Sequence, residues 1–193
     1  MAKGDLAPGL LLAAPSLHDP NFAKTVVLLG RHDDEGALGW VINGRELASV
    51  QELLAASGLF PPETRFPDGP QFQQAACVGG PVAPATGWLV YRRGHEPLAG
   101  ELRVGVDLAV TGEASAFSAL LGDDRPSEFR LVLGCAGWAP GQLEAEISEG
   151  SWLPAAVEAD LLFRTPDDTV WDEAYRRAVG GGPGMFSSKR GQA

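Results

Sequence analysis

Apolar residues come in short, dense runs broken by turn formers, a pattern of strands more than of long helices. GLLLAA at 9–14 and TVVLLGRH at 25–32 read as two strands, with PSLHDPNF between them as an ordered loop. GALGWVIN at 36–43 predicts a third strand, joined to the second by the tight connection DDEG, so that the two pair antiparallel. ELASVQELLAASG at 46–58 predicts an amphipathic helix with Leu47, Val50, Leu53 and Leu54 on one face and Gly58 as its C-terminal cap. FPPETRFPDGPQF at 60–72 holds four prolines and no periodicity, which predicts a surface excursion.

ACVGG at 76–80 and TGWLVYR at 86–92 predict two more strands, and the alternation in LRVGVDLAVTG at 102–112 predicts one half-buried strand. EASAFSALLG at 113–122 reads as a short helix, and the nearly continuous apolar run FRLVLGCAG at 129–137 as a central strand. GQLEAEISEG at 141–150 is the next helix, ADLLFRT at 159–165 a last short strand, and TPDDTVWDEAYRRAVG at 165–180 a final helix capped by Thr165. The tail 181–193 is expected to be disordered. Strands outnumber helices without strict strand–helix alternation, so residues 1–180 are expected to form a single α+β domain with a mixed, strongly curved sheet flanked by helices.

Composition narrows the classes. The 193 residues are 45% hydrophobic, enough for a core without disulfide or metal staples. Two cysteines, Cys77 and Cys135, make neither a disulfide framework nor a four-ligand zinc site. Leu10–Ala14 is too short an apolar run to span a bilayer and lacks a signal-peptide arrangement, so a cytoplasmic protein without a membrane segment is expected. A net charge of −10, with basic doublets only at 92–93, 176–177 and 189–190, disfavours direct DNA binding.

Candidate chemistry gathers on turns. Cys135 follows a strand and is flanked by Gly137 downstream, but Leu133 fills the upstream position where a nucleophile elbow needs a small residue. Packing is therefore favoured over nucleophilic chemistry. His18 and Asp19 sit in the SLHDP loop, where Asp19 is expected to bond the backbone of its own turn. Three histidines, at 18, 32 and 95, show no metal-ligand spacing, and neither a metal nor a cofactor is expected. Gly79, Gly80 and Pro81 match no nucleotide-binding pattern and read as a turn or a small-anion nest. Glu144 and Glu146 diverge on their helix, and Glu144 is the one expected to reach a pocket with Trp138 and Gln142.

Together GLLLAAPSLHDPNFAKTVVLL, GALGWVIN, VGGPV and LGCAGWAPGQLEAEISEGSWL, in this order, resemble the motifs of the bacterial YqgE/AlgH family over about Gly9 to Ala178. The chain departs from the family in reading Asn43-Gly44-Arg45 where members usually have Asn-Arg-Pro. It also carries Cys135 where an aromatic is common. The resemblance implies a compact α+β domain with a barrel-like curved sheet, a transcriptional-regulator label and no established enzyme activity. The expectation is a binding or regulatory module for an unknown small-molecule or protein partner. Its ligand surface would gather His18, Asp19, Asn43, Gly79, Gly80, Pro81, Trp138, Gln142 and Glu144 at one end of the sheet. The alternatives are a hydrolase or transferase using a His18/Asp19 cleft, and a direct DNA-binding regulator.

Overall fold

A computed structural model describes residues 6–94, 96–123 and 125–180, so the tail expected to be disordered lies outside the described residues. The opening strands form where the apolar runs predict them. β1 spans Gly9–Ala13, β2 Val26–Asp33 and β3 Gly36–Val41, and each pairs antiparallel with the next, β2 and β3 across DDEG. At Glu46–Ser49 the predicted helix gives way to a strand, β4, and helix α1 begins only at Val50, ending at Ala56. The Ser49 Oγ accepts from the Glu52 N–H at 3.3 Å and the Glu52 carboxylate accepts from the Ser49 N–H at 2.9 Å. This capping box fixes the first turn at Val50 and leaves ELAS extended, paired with β5, Ala75–Val78.

The proline-rich stretch runs over the surface as expected, but it is anchored at both ends. Its aromatic residues turn inward: Phe60 and Phe72 are buried, and Phe72, in the single helical turn α2 (Pro70–Gln73), packs edge-on against Phe129 at 5.3 Å. Strand β6 spans Val82–Arg92. The alternating stretch after it is two strands, β7 (Leu102–Arg103) and β8 (Leu108–Thr111), because Gly105 takes φ +83° and turns the chain between them. Val106, predicted to face inward, stands 86% exposed at that turn. The helix at Ala114–Leu121 is of the 3-10 kind.

Strand β9 (Phe129–Trp138) is central as predicted, and is followed by α3 (Gln142–Ser148) and β10 (Trp152–Ala155). The predicted last strand is instead helix α4, Ala159–Arg164, with Leu161 and Leu162 buried. Periodicity does not separate strand from helix over so short an apolar run. Helix α5 starts at Val170 and ends at Val179, with Gly180 left-handed at its C-terminus. Thr165 is not its cap: it closes α4, while the Pro166 carbonyl accepts from Thr169 and Val170, and Arg130 draws Asp167 away. None of the described helices is long and apolar enough to cross a membrane.

Among the described residues the sheet has ten strands: eight run in the order β10-β1-β2-β3-β9-β6-β8-β7, β5 pairs with β9 and β4 with β5, and only the β5–β9 pair is parallel. β10 and β7 do not pair with one another, so the sheet is open and does not close into the barrel-like form implied by the resemblance. Alternation divides its side chains. Leu10, Leu12, Val26, Leu28, Trp40, Val90 and Val132 join the cluster beneath α4 and α5. Their neighbours Leu11, Ala13, Val27, Leu29 and Val41 face α3, while Leu89, Tyr91 and Leu131 face α1, α2 and the 3-10 helix.

One crossing holds the two halves together. Leu133 pairs with Val78 along one edge of β9 and with Gly87 along the other, so residues 79–82 pass over β9 from edge to edge. The passage is backbone on backbone. A Cβ on Gly134 would lie 2.4 Å from the Gly80 carbonyl oxygen, and one on Gly80 would lie 2.3 Å from the Cys135 carbonyl. Gly134 is also left-handed, φ +77°, which shifts the alternation so that Ala136 and Trp138 face α3.

Candidate functional site

The loop between β1 and β2 is built from short local bonds. Asp19 Oδ1 accepts from the Asn21 N–H at 2.8 Å, the turn expected of this residue, and its carbonyl accepts from Phe22 and Ala23. His18 bonds the Ser16 carbonyl through Nδ1 at 2.6 Å, which places the proton of the neutral ring on Nδ1. The side chain of Asn43 closes the loop from the far end of β3: Oδ1 accepts from Val26 N–H at 2.8 Å, and Nδ2 donates to the carbonyl of Lys24, a residue at φ +55°. Asn43 is thus a clamp on the loop's exit.

Phe22 anchors the middle of the loop. Its ring lies 6.3 Å from Trp138 and 5.5 Å from Trp152, which meet each other edge-on at 5.9 Å. The two tryptophans flank α3 and are both nearly buried, yet neither indole N–H is wasted: both donate to Glu146 Oε2, at 2.9 and 2.8 Å. Glu146 Oε1 accepts from Gln142 Nε2 at 2.8 Å, and Gln142 Oε1 accepts from Ala139 N–H at the helix start. The carboxylate partnered with Trp138 and Gln142 is therefore Glu146, not Glu144 as expected. Four residues separate Gln142 from Glu146, which puts them on one helix face, whereas Glu144 points elsewhere.

Glu144 reaches a residue that sequence reasoning passed over. Its Oε1 is 3.3 Å from Nε2 of His32, whose side chain is 3% exposed. Neither ring nitrogen of His32 makes a hydrogen bond among the described residues. A bulge between Leu29 and Arg31 shifts the alternation of β2, so His32 and not Arg31 turns inward. That bulge leaves only Gly30 as a trace in the sequence.

Gly79 and Gly80 are accounted for by the crossing: Gly79 N–H donates to the Leu133 carbonyl and the Gly79 carbonyl accepts from Val41 N–H. Pro81 is exposed beyond it. Cys135 offers its thiol to the Val82 carbonyl, at 3.8 Å, and burial pushes its pKa up. Burial raises the Cys77 thiol too, in its case to about 11. Neither shift is the lowering that an activated thiolate needs. Trp138, Gln142 and, through Phe22, the His18/Asp19 loop thus come together. No hydrogen bond or ion pair among the described residues joins His18 or Asp19 to Gln142 or Glu144.

The chain belongs to the AlgH-like family, whose model matches residues 10–182. It is 40% identical over 188 residues to a UPF0301 protein of Anaeromyxobacter sp. (strain Fw109-5), covering 96% of this chain and 94% of that one. It is 35% identical over 172 residues to one of Xanthomonas euvesicatoria pv. vesicatoria, covering 89% and 88%. Among solved structures it resembles the AlgH protein from Pseudomonas aeruginosa in solution, with a TM-score of 0.73 and 30% identity over 97% of this chain and 96% of that one.

Proposed function

We propose that the chain is a binding module of the bacterial cytoplasm with a regulatory role, and that its recognition surface is the crown of the loop between β1 and β2. One observation carries this reading. His18, Asp19, Pro20 and Asn21 are exposed, while the residues on either side of them are pinned by Phe22 on two tryptophans and by Asn43 on Lys24. A polar loop held this firmly from beneath is preorganised, so a partner meets its final shape without an ordering cost. His18 Nε2 and Asp19 Oδ2 provide an acceptor and a charge on that crown, suited to donors of a small molecule or of a protein surface. The reading needs no nucleophile, and burial of Cys135, which raises its thiol, does not favour the thiol form of the hydrolase alternative.

The test is native mass spectrometry and cross-linking of the protein as isolated, against the variant His18→Ala/Asp19→Ala/Asn21→Ala. The expected result is a retained molecule or a defined cross-linked partner that the triple variant loses while keeping its melting temperature. Identical retention and identical cross-links in the two proteins would refute the assignment of this loop.

A further inference from the structure

At the margin of the sheet a cavity of about 210 Å³ opens between β10, α4 and α5. A water's share of liquid volume is about 30 Å³, so the cavity has room for a small organic molecule. Its floor is apolar and belongs to the core: Leu10, Leu161 and Ala174 are at most 3% exposed. An apolar floor at the foot of an open concavity favours a ligand with an apolar part.

The polar groups around this floor select the rest of the ligand. Glu158 precedes α4 and Arg177 stands near the end of α5; both line the cavity, pair with one another and reach solvent. Arg177 Nε also donates to Glu173 at 2.7 Å, one turn back on α5, which fixes the plane of the guanidinium. These contacts engage Nε and Nη1, and the guanidinium fork has further donors for an anion. Pro154 adds a backbone acceptor. β10 ends the strand order beside β1, and Ala14 N–H donates to the Ser151 carbonyl. The alternation of an antiparallel pair then turns the Pro154 carbonyl away from β1, towards the free edge of the sheet.

A carboxylate alone would meet Arg177 but lie against Glu158 and Glu173, and an amine alone would meet the acids but lie against Arg177. A molecule that carries both charges complements both. We infer that this cavity binds a free α-amino acid with an apolar side chain of about leucine's size. Its carboxylate sits on Arg177, its ammonium on Glu158 and the Pro154 carbonyl, and its side chain on the floor. None of these residues belongs to the loop surface proposed above, so the two sites stand or fall separately.

The experiment follows 1H–15N spectra of the full chain while L-leucine is added, with isocaproate and isoamylamine as controls that each lack one of the two charges. Leucine is expected to shift the amide signals of Ala155, Leu161 and Ala174 together and saturably. It should bind about tenfold more tightly than either control, equivalent to about 1.4 kcal/mol. Two substitutions at exposed positions of α5 separate floor from mouth, and both should keep the melting curve of the parent protein. Ala178→Leu narrows the cavity and should weaken all three ligands, whereas Arg177→Gln should abolish the advantage of leucine over the amine. No saturable shift with leucine, equal binding of leucine and either control, or unaltered leucine binding by either variant would each overturn the inference.

Discussion

Glu146 ties the two tryptophans to α3, and removing its carboxylate has a cost that can be worked out. Glu146→Ala deletes the acceptor of three donors: the indoles of Trp138 and Trp152, which are 6% and 4% exposed, and the Gln142 amide, which is exposed and can turn to water. Each buried indole N–H left unpaired costs about 1–3 kcal/mol, so the pair costs roughly 3 kcal/mol or more. Glu146→Gln keeps one acceptor oxygen, which can serve the indoles, and loses only the added strength of a charged acceptor, about 1 kcal/mol. For a chain of this size each kcal/mol moves the melting temperature by about 2–4 °C, so the alanine variant should melt roughly 6–12 °C lower. Urea unfolding followed by tryptophan fluorescence measures both variants on one scale, with an unchanged slope confirming a common unfolding transition. Equal losses for the two variants, or a loss below about 1 kcal/mol for alanine, would refute the account of Glu146 as acceptor for two buried indoles.

Gly134→Ala should be destabilising well beyond the strain of its backbone, because its Cβ would stand 2.4 Å from a carbonyl oxygen; Gly141→Ala, at the same φ of +77° but with nothing within 4 Å, should cost only about 1–2 kcal/mol. Denaturant midpoints of the two variants check this contrast. Burial raises the Cys77 thiol from 9.0 to about 11, so its contribution to stability is complete below pH 9 and is lost as the pH climbs towards 11. Cys77→Ala should flatten that alkaline decline in unfolding free energy. In a gel-shift titration at low salt the protein, at net charge −10, should leave duplex DNA unshifted, and a salt-sensitive shift would revive the DNA-binding alternative.

Much of the strand framework was legible because alternation and turn residues are local signals: GLLLAA, TVVLLGRH, GALGWVIN and FRLVLGCAG all became strands. Two of the misreadings share a cause, which is that a contact distant in sequence decided the outcome. ADLLFRT is helical where α4 covers the sheet, and the Phe60–Phe72 stretch is anchored to the core because Phe72 finds Phe129. LRVGVDLAVTG divides at Gly105, a break that its regular alternation conceals. The site behaves likewise. Trp138 and Gln142 were visible as a turn and a helix start, but choosing Glu146 over Glu144 requires knowing where Trp152 returns, and His32 faces inward only through a bulge.

The passage of residues 79–82 over Gly134 bears on how the chain emerges from the ribosome. β9 lies between β3 and β6 in the finished sheet, yet it is made after both of them. Until residue 138 has been translated, the nascent chain holds two partial sheets whose facing edges have nothing to bond to, and unpaired edges of this kind attract other chains. The protein is therefore most exposed to aggregation late in its own synthesis. A truncation ending before Phe129 should gain nothing from its shorter length and should be less soluble than the whole.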